Sequence, residues 1–208
     1  MFKILFLYSR PYDPLLPVVC IDEKLVELRQ SVREGYRDRK GIRVCDYEYR
    51  KNGTANLFVA TEPKGGTHYV RTTNRRTKKD FAKFLKWLES QYSKAITIHL
   101  VMDNLNTHRE SSLIEMYGET EGSRLWARFT VHYTPVHASW LNQAEIAIGA
   151  IAKATLGERI SSIDVVRKKT IAFAASMRKQ KWKINWGFTI KRAKHWISRV
   201  ENHRLKTS

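Results

Sequence analysis

Three acidic residues stand where a folded chain ordinarily avoids an unpaired charge: Asp22, Asp103 and Glu145. Asp22 closes the apolar run Pro17-Val18-Val19-Cys20-Ile21, and Asp103 closes Ile96-Thr97-Ile98-His99-Leu100-Val101-Met102. Both runs read as buried strands, which puts each carboxylate at a strand end. Glu145 lies in the helical stretch Ser139 to Ile148, with Leu141 four positions before it and Ile148 three after, so the pattern turns it inward with the apolar stripe. Burying three carboxylates costs on the order of several kcal/mol unless positive charge meets them. Hard divalent cations do so with oxygen ligands, and in a chain this basic the set points to a two-metal phosphodiester site. Oxygen-only ligands favour Mg²⁺ or Mn²⁺ over Zn²⁺.

Each acid also has an ordinary explanation. Asp22-Glu23-Lys24 could be a solvated turn, and Glu23 could stand in for Asp22 as the ligand. Asp103-Asn104 could form an Asx-turn, and Asn142-x-x-Glu145 fits a capping box in which the glutamate only reaches back to the helix start. His108, His132 and His137 lack the short helical spacing of a zinc site and fall in separate elements; His132 alternates along a strand and reads as structural.

The elements that must position these residues follow from the pattern of apolar and turn residues. Val18 to Thr72 reads as a strand meander broken at Lys51-Asn52-Gly53 and Pro63-Lys64-Gly65-Gly66, with the charged stretch Gln30 to Arg43 as a solvated loop. Thr77 with Asp80 forms a capping box ahead of a helix whose core face is Phe81, Phe84, Leu85, Leu88 and Tyr92, while Lys78, Lys79, Lys83 and Lys86 make its outer face basic. Thr107 with Glu110 repeats the signature and opens a helix ending near Gly118. A short strand, Phe129 to Tyr133, then precedes the Glu145 helix. This order implies an α/β layer fold.

Charge narrows the partners. With 38 Lys and Arg against 20 Asp and Glu, the net charge of +18 attracts polyanions, nucleic acid first. Fifteen of those cations lie between Lys153 and Ser208 against only Glu158, Asp164 and Glu201, interleaved with Trp182, Trp186 and Trp196. The cationic surface suits DNA, while the individual tryptophans read first as docking the tail onto the core. One core of 1–152 with a basic helical extension over 153–208 is the economical division. No long apolar segment or signal-peptide pattern points to a membrane. Cys20 and Cys45 without a CxxC argue against a structural zinc or a disulfide framework, and a reducing cytoplasm is compatible.

Around the three acids the chain resembles the DDE-type transposases of bacterial insertion sequences, in the group related to the mariner elements. The strings are Val19-Cys20-Ile21-Asp22-Glu23-Lys24; Asp46-Tyr47-Glu48-Tyr49 with Asn52-Gly53-Thr54-Ala55-Asn56; Met102-Asp103-Asn104-Leu105-Asn106-Thr107-His108; and His132-Tyr133-Thr134-Pro135 leading to Trp140-Leu141-Asn142 and Glu145. Weaker matches continue to Ile184-Asn185-Trp186 and Phe188-Thr189, so the resemblance runs from about Tyr12 to Trp196. It implies a ribonuclease H-like mixed sheet with flanking helices, and Asp22, Asp103 and Glu145 as catalytic ligands of two ions. It further implies DNA cleavage followed by joining of the 3′-hydroxyl to target DNA. Lys24, Arg71, Arg75, Arg76, Asn104, His108, His137, Trp140 and Asn142 become candidates for DNA contact. Implied partners are double-stranded DNA, both transposon ends and target, a second copy in a homodimer, and a separate or fused helix-turn-helix segment. The implied location is the bacterial cytoplasm, at the nucleoid. A ribonuclease H-like structure-specific nuclease and an inactive DNA-binding remnant remain the alternatives.

Overall fold

The apolar run that ends at Asp22 does not end the strand. In the computed structural model, which describes residues 1–33, 35–44 and 47–207, β1 spans Val18–Ser31, so Asp22 and Glu23 sit in mid-strand rather than at its end or in a turn. Antiparallel pairing with β4 (Tyr49–Glu62) supports β1 along most of its length. Only its first residues pair with β6 (Ile98–Met102), in parallel, from Val18 opposite His99 to Cys20 opposite Val101. With β5 (Thr67–Thr73) on β4 and β7 (Phe129–Tyr133) parallel to β6, the five-stranded mixed sheet has the order β5-β4-β1-β6-β7. Between β1 and β4 the charged stretch is exposed as expected, but it carries a two-stranded ribbon of β2 (Tyr36–Arg37) and β3 (Arg43–Val44). Lys51-Asn52-Gly53 is not a turn. It lies within β4, where Gly53 has φ +94° and the register with β1 shifts between Glu27 and Arg29, a bulge in a continuous strand. Cys45 and Asp46, the latter heading one of the matching strings, lie outside the described residues.

Alternation along the strands sends their side chains to two faces. On one, Val19, Ile21, Phe58, Ala60, Leu100 and Met102 pack against α2 (Lys78–Gln91), α3 (Glu110–Tyr117) and α4 (Glu119–Trp126). The capping box of α2 forms as read: Asp80 N–H donates to Thr77 Oγ1 at 3.2 Å, and Thr77 N–H to Asp80 Oδ2 at 3.0 Å. Its basic outer face is partly neutralised, because Lys78 meets Glu115 at 3.0 Å and Lys86 meets Glu121 at 3.1 Å. The second capping signature does not form. Residue Arg109 is the N-cap of α3 and Thr107 does not cap, because the preceding residue, His108, is drawn into the interior. α3 ends at Gly118 as expected, and α4, which the pattern did not announce, follows at once.

On the other face, Val26, Leu57, Val59 and Val70 pack against α5 (Ala144–Thr155) and α6 (Ile163–Lys179). Residue 152 therefore falls inside α5, and α6 contributes Val166, Ala174 and Met177 to the same core. α1 (Phe2–Ser9) buries Ile4, Leu5, Leu7 and Tyr8 against Cys20, Val101 and Leu141, beside α7 (Ile190–Thr207). Trp182, Trp186 and Phe188 pack as core-docking aromatics, while Trp196 stays exposed. No described helix is long and apolar enough to cross a membrane.

The β4–β5 turn is the joint between sheet and C-terminal segment. Gly66 adopts φ +71°, and a Cβ there would stand 2.6 Å from the Lys181 carbonyl carbon, while Ile184 N–H donates to Pro63 O at 3.0 Å. Gly66→Ala is therefore expected to destabilise the fold by at least about 1 kcal/mol, from both backbone strain and overlap. Urea unfolding would measure it, and an unchanged midpoint would refute the close approach.

Candidate active site

Continuing the parallel register of β1 and β6 by two residues sets Asp22 level with Asp103. Neighbouring strands lie about 4.8 Å apart, so the two acids occupy one neighbourhood. Asp22 points to the α5 side of the sheet. There Asn142 Nδ2–H donates to Ile21 O at 2.7 Å and reaches Asp22 Oδ2 at 3.4 Å, while its Oδ1 accepts from Ala144 N–H at 3.2 Å. One amide thus fastens the start of α5 to the strand carrying Asp22. From behind, Tyr8 Oη–H donates to Leu141 O at 2.8 Å.

Burial raises the Asp22 carboxyl to about 6, opposed by the Glu23 N–H that donates to it and reinforced by the charges of Asp103 and Glu145. Both of the other expected acids therefore act on Asp22. Glu145, however, is exposed, which corrects the inward orientation read from the sequence. The expected helix is interrupted: Ser139–Leu141 form a 3-10 turn, Asn142 is extended, and α5 starts at Ala144. Its buried stripe is Ala144, Ala147, Ile151 and Thr155, so Glu145 is turned about 100° from it. Nor does the capping box with Asn142 form; the N-cap is Gln143, without a side-chain cap. Among the described residues, no three His, Cys, Asp or Glu side chains stand close enough together to hold an ion.

Glu23 points to the opposite face, where it does not replace Asp22 but meets His108, whose Nε2 lies 2.9 Å from Glu23 Oε1. The other ring nitrogen, Nδ1, lies 2.6 Å from Asp103 Oδ1 and 3.3 Å from the Asp103 carbonyl oxygen. Asp103 Oδ1 is buried and, despite that contact, lacks the alignment of a hydrogen bond. Burial works against charge on His108, but the two carboxylates outweigh it and push its pKa up to about 9. The ring packs at a tilt against Phe81, centroids 4.6 Å apart, and is 2 % exposed. His108 thus bridges Asp103 to Glu23, which lies 85 residues before it, and is not a surface contact for DNA. The same correction applies to Asn142, 2 % exposed with its amide engaged.

The remaining candidates divide by accessibility. Lys24 is half-buried on the Asp22 face, two residues further along β1. Arg75, Arg76 and Asn104 are exposed, in the loop before α2 and directly after Asp103. Exposed Arg71 lies over the Trp87 ring at 5.1 Å, in cross-strand line with Phe58 and Glu23, hence on the other face of the sheet from Asp22. His137, at φ +61°, and Trp140 lie exposed in the segment between β7 and α5, Trp140 edge-on to Phe188 at 4.8 Å. Neither the Glu23–His108 pair nor the Asn142 anchor has a local sequence signal, since both join residues distant in the chain.

The sequence pattern of the DDE superfamily endonuclease family matches residues 17–167, which include all three acids. The chain belongs to that family. No curated protein sequence matches it. In fold this DDE endonuclease is similar to the crystal structure of the Mos1 mariner paired end complex with Mn. The TM-score is 0.52 at 12% identity, over 86% of this chain and 57% of that one. That likeness gives the fold, ribonuclease H-like, and the chain spans little more than half the length of its counterpart. More distant are a cryoEM structure of the simian T-cell lymphotropic virus intasome in complex with PP2A regulatory subunit B56 gamma (TM-score 0.42, 14% identity, 75% of this chain and 48% of that one) and the Mos1 transposase paired-end complex with left transposon end (0.38, 12%, 86% and 59%).

A raised carboxyl makes the folded state the better proton binder between about pH 4 and pH 6, so stability falls as pH rises through that window and the whole penalty is present above it. In chelator-containing buffer, Asp22→Asn is expected to stabilise the fold at pH 8 by up to roughly 3 kcal/mol and to do little at pH 4. Chemical denaturation at the two pH values tests this; an equal effect at both would mean that Asp22 is not under pressure from its neighbours.

Proposed function

We propose that this chain is the catalytic domain of a DNA transposase, cutting one strand at transposon ends by hydrolysis and joining the freed 3′-hydroxyl to target DNA. The observation that carries the reading is the match of the endonuclease family over residues 17–167, which takes in Asp22, Asp103 and Glu145. A donor set made only of carboxylate oxygens fits hard cations. Asp22, Asp103 and, after turning inward, Glu145 would hold two Mg²⁺ or Mn²⁺, which when bound supply water activation and stabilisation of the leaving 3′ oxygen.

The protein's own residues do the positioning. Asn142 holds the Asp22 carboxylate and the first turn of α5 together, so the third acid is delivered from an element anchored to the first. His108 holds Asp103 from the opposite side and balances the charge of Glu23. Exposed Arg75, Arg76, Asn104, His137 and Trp140, with Lys24, are proposed to grip the DNA strand, with Arg71 reaching it around the sheet edge. The division into a core of 1–152 and a basic extension of 153–208 is carried forward with α6 assigned to hold the core and the exposed cations beyond it to bind phosphate. Transposon ends and target as double-stranded DNA, a homodimer and a helix-turn-helix segment belong to the same proposal.

Asp103→Asn and Glu145→Gln are each expected to reduce Mg²⁺-dependent strand cleavage at least about 10³-fold while leaving the folded state intact. A cleavage assay on end-bearing duplexes with a target plasmid tests both steps. Activity surviving Asp103→Asn would rule the mechanism out, and cleavage without joined product would favour a simple nuclease.

Cations suited to phosphate rather than to base edges lead to a second expectation. Binding of duplex DNA by this chain should show little sequence preference and fall steeply with salt. Titrations of end-containing and scrambled duplexes across a salt series would measure it; a strong, salt-tolerant preference for one sequence would identify a recognition module between Lys153 and Ser208.

A further inference from the structure

A cavity of about 470 Å³ lies between α1, the chain leading into β1, the start of α5, the β4–β5 turn and the segment entering α7. That size is within the range of small-molecule sites. Two of its polar side chains are almost wholly buried yet incompletely bonded: Glu62, 3 % exposed, and Gln143, 2 % exposed, each with Oε1 lacking a hydrogen-bond partner. The hydroxyls of Tyr12 and Tyr92 act on the Glu62 carboxyl without completing Oε1. A third lining group, Trp186 Nε1–H, is a buried donor with no acceptor. Orphaned buried polar atoms are rare in folded proteins, and here three line one cavity.

Their chemistry specifies a complement. Two acceptors, one a carboxylate, require N–H donors; the indole requires an acceptor; and walls such as Leu5 and Phe188 require a flat apolar body. Guanine meets this description, with N1–H and N2–H₂ on one edge and O6 and N7 as acceptors, whereas adenine, cytosine and thymine each carry one donor group on the equivalent edge. Exposed Arg10, Lys64 and Lys191 line the same cavity, beside Asp13, and suit a phosphate. We propose that this cavity binds a guanine nucleotide, its base unstacked among Glu62, Gln143 and Trp186 and its phosphate against the three cations. The base belongs either to a free nucleotide or to an unpaired position of a DNA strand. Nothing in the site depends on metal or on strand cleavage.

The test uses the full chain. Calorimetric and tryptophan-fluorescence titrations with dGMP, dAMP and inorganic phosphate are expected to show saturable dGMP binding at least about ten-fold tighter than that of the other two. Glu62→Gln should abolish the preference with circular dichroism and melting unchanged, and Trp186→Phe, which keeps the ring but loses the donor, should weaken dGMP several-fold if Glu62→Gln fails to fold. Competition with duplexes bearing one unpaired terminal guanine or adenine separates the sources. Displacement of dGMP by the guanine overhang alone assigns the base to DNA, and no displacement by either assigns it to a free nucleotide. Equal affinities for dGMP and dAMP, absence of saturable binding, or a guanine preference persisting in folded Glu62→Gln would each overturn the proposal.

Discussion

Two carboxylates, one within β1 and one directly after its parallel neighbour β6, both partly out of water, are the constraint around which this molecule is arranged. Left alone, Asp22 and Asp103 would repel each other and force a strand apart or a proton on. The fold answers from both faces of the sheet. Asn142 donates toward Asp22 on one side, and His108 meets Asp103 on the other while also meeting Glu23. Asp22 nevertheless holds its proton up to about pH 6, so the compensation by the protein is incomplete.

The three acids are not held alike. Asp22 is fixed by antiparallel pairing with β4 and Asp103 by its position directly after β6, both elements of the buried sheet. Glu145 sits on the exposed side of the first turn of α5, a helix whose N-terminus lacks a side-chain cap and is tied to the sheet through the Asn142 amide. The α5 residues that pack are Ala144, Ala147, Ile151 and Thr155, so the Glu145 side chain carries none of the core. The same segment places the Gln143 side chain in the wall of the cavity beside α1, so the start of α5 has one residue at each site.

Net charge is distributed unevenly in its effect. On α2, Lys78 and Lys86 spend their charge on Glu115 and Glu121, joining α2 to α3 and α4 rather than offering it to a ligand. In the C-terminal third, α6 uses one face for the core and leaves Arg167, Lys168, Lys169 and Lys179 exposed, while Arg178 turns onto the sheet to meet the His68 carbonyl. Trp182, Trp186 and Phe188 belong to the packing side of that arrangement.

Much of the framework was legible in the linear chain. The Thr77–Asp80 box, the Phe81-Phe84-Leu85-Leu88 stripe, the β7 boundaries and the 63–66 turn are local, determined by spacing and turn chemistry within a few residues. Asp22 and Asp103 were also readable as candidates, since apolar runs followed by an unpaired charge are few. Only the tertiary structure decided what those charges touch. Lys51-Asn52-Gly53 has the composition of a turn, yet pairing with β1 draws it into a bulged strand. Thr107 has the position of a cap, yet His108 is pulled inward by acids contributed from β1 and the end of β6, and the helix starts later. Glu145 has the spacing of an inward residue, but Asn142, held extended by its bond to Ile21, restarts the helix and rotates its phase. In each case a hydrogen bond or ion pair to a residue far along the chain outweighed a local preference, because a buried polar group left unbonded costs more than the propensity it overrides.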